Sequence, residues 1–187
     1  MELYYIFMRN FKQIIIEALK IFVLIAAIVI PIRYFLFQPF FVSGASMEPN
    51  FYSGEYLLLD EISYRFRDPL RGEVVVFKYP EDPSLFFIKR VVGLPGETIE
   101  ISDGIVKIYN DQFPQGKILD EPYVVGKTEG SLRISLKDDE YFVLGDNRYR
   151  SSDSRNWGPV SRKNIIGRAW IAISTSKGFE ILNAPAY

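Results

Sequence analysis

Hydrophobic and polar positions follow two regimes along the chain. Over 14–32 apolar residues run almost unbroken, nineteen positions interrupted only by Glu17 and Lys20, and 21–32 holds no charged or polar side chain. As a helix this run is roughly 28 Å long, close to the hydrocarbon thickness of a bilayer. It is apolar all round rather than striped, and Tyr34, Phe35, Phe37, Phe40 and Phe41 follow it like an interfacial belt. The pattern predicts one transmembrane anchor over 14–37, with Glu17 and Lys20 paired at i,i+3 near its N-terminal end. A buried core helix is the competing reading. Arg9, Lys12 and Lys20 outnumber Arg33 on the far side, so the positive-inside rule places residues 1–13 in the cytoplasm and 38–187 outside. A cleavable secretory signal fits less well, because Ser43-Gly44-Ala45, the nearest small-x-small pattern, lies behind bulky aromatics and Pro39.

Beyond the anchor the pattern becomes that of strands. Tyr56-Leu57-Leu58-Leu59, Val74-Val75-Val76-Phe77, Phe86-Phe87-Ile88 with Val91-Val92, and Tyr141-Phe142-Val143-Leu144 are short β-branched or aromatic runs bounded by Gly, Pro and Asp. Thr98–Ile101 and Ile105–Ile108 flank Ser102-Asp103-Gly104, a hairpin signal. Asn164 to Ser174 reads as one more strand. No helical period of useful length appears after the anchor, and there is no repeat or low-complexity segment. The expected fold is mainly β: an irregular sheet or barrel-like catalytic domain behind one N-terminal transmembrane helix.

Composition narrows the chemistry. The chain has 187 residues, 48% of them apolar, with 22 basic and 23 acidic side chains and a net charge of −1. That balance gives no electrostatic case for nucleic acid as a partner. There is no cysteine and no histidine. Disulfides, thiolate nucleophiles, His-based triads and His- or Cys-held metals are thereby excluded, and no cofactor or metal is expected. Acid–base work falls to Lys, Asp, Glu, Tyr or a terminus.

Three segments could carry such work. In Phe86–Val92, alternation puts Lys89 on one face with Phe87 and Val91, where desolvation would disfavour its ammonium and neighbouring Arg90 would add like-charge repulsion. A snorkelling lysine at a sheet edge has the same pattern. In Val42–Pro49, Ser46 follows Gly44 and Ala45 and precedes Met47; small residues admit a substrate backbone and leave N–H groups free for an oxyanion. An ordinary turn looks alike. In Gly145–Gly158, Asp153 and Arg155 could form a bidentate pair and Ser151 could orient a neighbour, unless the stretch is a plain Asx-turn loop.

Together and in order these segments resemble the type I signal peptidases, membrane-anchored Ser/Lys proteases that release signal peptides. The matching pieces are Gly44–Pro49, Ser53–Leu59, Ile88–Glu97 and Gly145–Gly158, spread over about residues 40–160. The resemblance implies Ser46 as nucleophile and Lys89 as general base. It also implies Ser151 as the group that positions the Lys amine, Asp153 and Arg155 as a structural pair, and Asp146 as support for their loop. Gly44, Ala45, Ser46 and Met47 would form the oxyanion and substrate-binding segment. Exported preproteins and membrane lipid are the implied partners, with small pockets for the side chains at the first and third positions before the cut. The implied location is the inner or plasma membrane, single-pass, with the catalytic domain on the outer side. Three departures stand out: Gly44 where a Ser is frequent, Asn50 where Thr is common, and Tyr149-Arg150 for the more usual Asp-Asn.

Other readings fit less of the chain. A self-cleaving Ser/Lys repressor would carry a DNA-binding domain in place of the apolar segment. Ser174-Thr175-Ser176-Lys177 matches the Ser-x-x-Lys of penicillin-binding enzymes, but the companion motif is only Lys127-Thr128-Glu129. A non-catalytic anchored β-domain that binds extended peptides at a sheet edge would leave Ser46 and Lys89 without a joint role.

Overall fold

The computed structural model describes residues 13–27, 29, 39–174 and 178–184. It divides into two compact units, Met1–Gln38 and Pro39–Tyr187. In the first, 13–27 form helix α1, held at its start by a Lys20–Glu17 ion pair of 3.0 Å. Residue 28 and residues 30–38, which include most of the expected aromatic flank, lie outside the described residues, as do the basic residues Arg9 and Lys12. Among the described residues no helix is long and apolar enough to cross a membrane. Thr175, Ser176 and Lys177 of the Ser-x-x-Lys pattern also lie outside them.

The second unit is mainly β. Its strands are β1 (Pro39–Phe41), β2 (Tyr56–Asp60), β3 (Val74–Lys78), β4 (Phe86–Gly93), β5 (Thr98–Ser102), β6 (Ile105–Tyr109), β7 (Lys117–Ile118), β8 (Leu132–Ser135), β9 (Glu140–Leu144), β10 (Val160–Ser161), β11 (Ile165–Ser174) and β12 (Gly178–Ile181). Two one-turn helices, α2 (Ser63–Phe66) and α3 (Ser154–Trp157), interrupt them. The larger sheet runs β1-β2-β11-β3-β4-β9-β10 with β12 attached to β11; the smaller runs β7-β6-β5-β8.

Neither sheet closes, so the barrel-like expectation gives way to two open sheets among the described residues. The cause is local. After Gly93 the chain turns through Leu94–Glu97 into β5 and founds the second sheet instead of continuing round the first. Gly93 marks the closest approach there, since a Cβ would lie 2.6 Å from Ile99 Cδ1.

The continuous apolar run of β3 follows from burial on both faces. Val74 and Val76 pack with Met47, Phe51, Leu57 and Leu59 on one side, while Val75 and Phe77 pack with Val91, Tyr141 and Val143 on the other. β9 alternates likewise, sending Phe142 and Leu144 into a third core built on Ile99, Ile101, Val106 and Ile108. At roughly 1.5–3 kcal/mol per buried large apolar side chain, these three cores hold β4 and β9 rigidly in the middle of the unit.

Candidate active site

β4 pairs with β3 along Phe86–Arg90 and with β9 only from Arg90 onward. Its first half therefore has one unpaired edge, and β1 is the terminal strand of the same sheet. Phe40 of β1 and Phe86 of β4 meet edge to face at 5.5 Å. Between these elements lies a groove of about 260 Å³ walled by Phe40, Leu57, Val76, Phe86 and Ile88, with Ser46 and Lys89 in its lining.

The loop after β1 is pinned at both ends. Val42 N–H donates to Glu55 O and Gly54 N–H to Val42 O, each at 2.9 Å. Met47 and Phe51 are buried in the first core, and both Asn50 N–H and Phe51 N–H donate to Met47 O. Val42, ahead of Ser46, is buried in the same core, so Ser46 is held out between buried residues on either side. Of Gly44, Ala45, Ser46 and Met47, only Ser46 lines the groove. The expected contribution of Met47 to substrate binding is limited to its backbone, because its side chain is 1% exposed and belongs to the core. Gly44 has φ +93°, and its N–H donates to Ser53 Oγ at 3.3 Å. The Ser46 N–H donates to no acceptor among the described residues.

Lys89 is 4% exposed, and its Nζ lies 2.8 Å from Ser46 Oγ and 2.8 Å from the Ile88 carbonyl oxygen. The ring of Phe87 is 5.4 Å away. Burial pulls the Lys89 pKa down to about 8, against the opposing pull of the Asp153 and Asp146 carboxylates. Repulsion from Arg90, expected from adjacency, is not the arrangement found. The pleat sends Arg90 to the opposite face, where Nε reaches Asp146 Oδ1 at 2.8 Å and Nη2 reaches Oδ2 at 2.6 Å.

Asp146 is fully buried and also accepts from Asn50 Nδ2 at 2.8 Å; the same amide donates to Tyr123 O at 2.8 Å. Next along, Asn147 N–H donates to Ser46 O at 3.0 Å. These contacts bind the Ser46 loop, β4 and the loop after β9 into one piece. Asp153 and Arg155 form the expected bidentate pair, Nε–Oδ1 at 2.8 Å and Nη2–Oδ2 at 2.9 Å. Asp153 also caps α3 and accepts from Gly145 N–H at 3.1 Å.

Ser151 stands apart. Lys89 Nζ bonds to Ser46 and Ile88, whereas Ser151 Oγ is buried and has no hydrogen-bond partner among the described residues. It lies against Gly145, where an added Cβ would meet it at 2.2 Å and the Ser46 carbonyl oxygen at 2.5 Å.

The family model described as signal peptidase, peptidase S26 matches residues 15–173. The chain belongs to the signal peptidase family. A probable signal peptidase I-2 of Synechocystis sp. is 39% identical over 163 residues, covering 83% of this chain and 72% of the relative. Signal peptidase I V of Bacillus subtilis is 38% identical over 153 residues, covering 74% and 86%. A crystal structure of a signal peptidase I from Enterococcus faecalis V583 aligns with a TM-score of 0.47 at 29% identity, covering 55% of this chain and 97% of that one.

Three residues of this signal peptidase escaped the sequence reading: Arg90, Asn50 and Gly145. Arg90 and Asn50 both act on Asp146, from 56 and 96 positions away. The period of β4 already opposed Arg90 to Lys89, and that was the available signal. Asn50 showed only as a departure from Thr, and Gly145 as a loop boundary.

Proposed function

We propose that this signal peptidase is a membrane-anchored serine endopeptidase in which Ser46 is the nucleophile and Lys89 the general base. The observation that carries the reading is the 2.8 Å contact between Ser46 Oγ and a buried Lys89 amine with a pKa near 8. Neutral Lys89 takes the Ser46 hydroxyl proton as Oγ attacks the carbonyl carbon of the scissile bond. The oxyanion takes a hydrogen bond from the Ser46 N–H. Lys89 passes its proton to the leaving amine, an acyl-enzyme remains, and Lys89 then deprotonates the water that releases the signal peptide. Ser151 is assigned to the Lys89 amine during turnover; a buried hydroxyl without a partner is costly, and an amine that changes protonation is one it can take up.

The substrate adds as an extended strand between β1 and the free half-edge of β4, with its apolar side chains in the groove and small ones at the first and third positions before the cut. Residues 14–37 form the anchor, 1–13 lie in the cytoplasm and 38–187 outside, on the strength of the apolar run and its flanking charges. The test is to incubate the full chain and its Ser46→Ala variant with a preprotein and sequence the new N-terminus. Processing by Ser46→Ala would remove the assignment.

A further inference from the structure

Tyr149-Arg150, the departure from Asp-Asn, takes no part in the chemistry above. Both residues are exposed, Tyr149 at 59% and the Arg150 side chain at 68%. They sit on a firm base. The Tyr149 ring packs on Gly126, where a Cβ would lie 2.1 Å from Cε2, and its hydroxyl accepts from Lys127 N–H at 3.3 Å. Val125, 45% exposed, is fixed beside them by Val125 N–H to Asp146 O and Arg148 N–H to Val125 O. Arg150 Nη1 faces Glu48 Oε2 at 3.9 Å, and Glu48 lies two residues past Ser46. That separation is too long for a hydrogen bond, so the guanidinium is oriented but its donors remain available.

None of these residues lines the apolar groove, although Ser152, two residues beyond Arg150, does. If residues before the cut occupy the groove, those after it leave Ser46 on the side of Glu48 and Arg150. An extended chain advances about 3.3 Å per residue, so its second and third residues after the cut stand roughly 7–10 Å beyond the scissile carbon, a span comparable with a long side chain.

We propose that Arg150, with Tyr149 as its platform, is a specificity-determining residue that binds an acidic side chain among the first residues after the scissile bond. The inference rests on the assignment of Ser46 as nucleophile. The sign follows from exposure. The Arg150 side chain stands at 68% and Glu48 at 29%, so an incoming side chain meets the cation first. A carboxylate can take two parallel N–H bonds from that guanidinium, whereas a lysine is repelled.

The experiment compares three peptides, identical except for Asp, Ala or Lys at the second position after the cut, with the full-length chain in detergent micelles. At low salt kcat/KM for the Asp peptide should exceed that for the Lys peptide by about 1.5- to fivefold, the range of an exposed charge pair. Raising salt to about 0.5 M should shrink the ratio. Arg150→Ala should bring it to one or below, since Glu48 then stands uncompensated, and Arg150→Glu should invert it, while Arg150→Lys keeps its direction at reduced size. An even wild-type ratio, or an unchanged ratio in Arg150→Ala, would overturn the proposal and leave the Ser46 assignment intact. Failure of the wild type to cut even the Ala peptide would overturn the assignment and the proposal with it.

Discussion

Adding one methyl group at position 145 should cripple this enzyme without touching a reacting atom. A Cβ on Gly145 would stand 2.2 Å from Ser151 Oγ, 2.5 Å from Ser151 Cβ and 2.5 Å from the Ser46 carbonyl oxygen. Ordinary contacts at these atoms are about 3.4 Å or more, so something must retreat by roughly 1 Å. Ser151 cannot move far, because Asp153 two residues on is locked to Arg155 and Gly145 N–H. The Ser46 carbonyl is held by Asn147 N–H, so displacing it drags the Ser46 hydroxyl from the Lys89 amine. A misplacement of that size costs on the order of a hundredfold in rate, and overpacking about 1–3 kcal/mol of stability. The assay is kcat/KM on a preprotein peptide for Gly145→Ala, with denaturant unfolding alongside. Gly44→Ala is the contrast: it has open space but a φ of +93°, so its penalty is backbone strain and not a clash. Gly145→Ala turning over within threefold of wild type would refute the crowding argument.

Other consequences are as direct. With a Lys89 pKa near 8, roughly one amine in ten is neutral at pH 7, so kcat/KM should rise about tenfold along an acidic limb centred near pH 8; a flat profile, or an active Lys89→Arg, would remove the dyad. The folded pKa lies below the ordinary 10.5, so below pH 8 the buried charge lowers stability by about 3 kcal/mol, a deficit that disappears as pH climbs from 8 to 10.5. Lys89→Met should therefore be inactive yet more stable than wild type at pH 7, an advantage that fades by pH 10 in denaturant titrations. Asp146→Asn leaves the Arg90 guanidinium buried without its carboxylate and should cost about 3–5 kcal/mol; a loss under about 1 kcal/mol would show that the pair does not hold the site together.

Much of the β framework was legible because local rules suffice for it. Asp103 and Gly104 both take positive φ, +55° and +82°, the mirror-image turn that joins β5 to β6. The runs at 56–59, 74–77 and 141–144 became strands because their neighbours supply a core on one or both faces. The short strands β7 and β10 have two residues each and exist only through their partners, so no pattern could announce them. The site shows the same division. Alternation gave the face of Lys89 but not what lay across from Arg90, since Asp146 arrives from another strand's end. Met47 read as part of a binding segment because a loop sequence carries no sign of which side chain folds inward. At the N-terminus the apolar run coincides with helix α1 over 13–27, and the proposal of an anchor over 14–37 is carried by hydropathy and flanking charge.

The back-to-back placement of Lys89 and Arg90 has a consequence for quality control. Neighbours on a pleated strand face opposite ways, so a slip of β4 by one position would bring Arg90 into the place of Lys89. Arg90 would then confront Ser46, and a guanidinium that never gives up its proton cannot activate a hydroxyl. A slip the other way would set Ile88 before Ser46 and give Asp146 the single ammonium of Lys89 where two parallel donors now bind. A chain paired out of register is thus a proteolytically silent one, and hydrolytic power arrives only with correct strand alignment. For a protease made in the same cell as its potential victims, the fold itself acts as the safety catch.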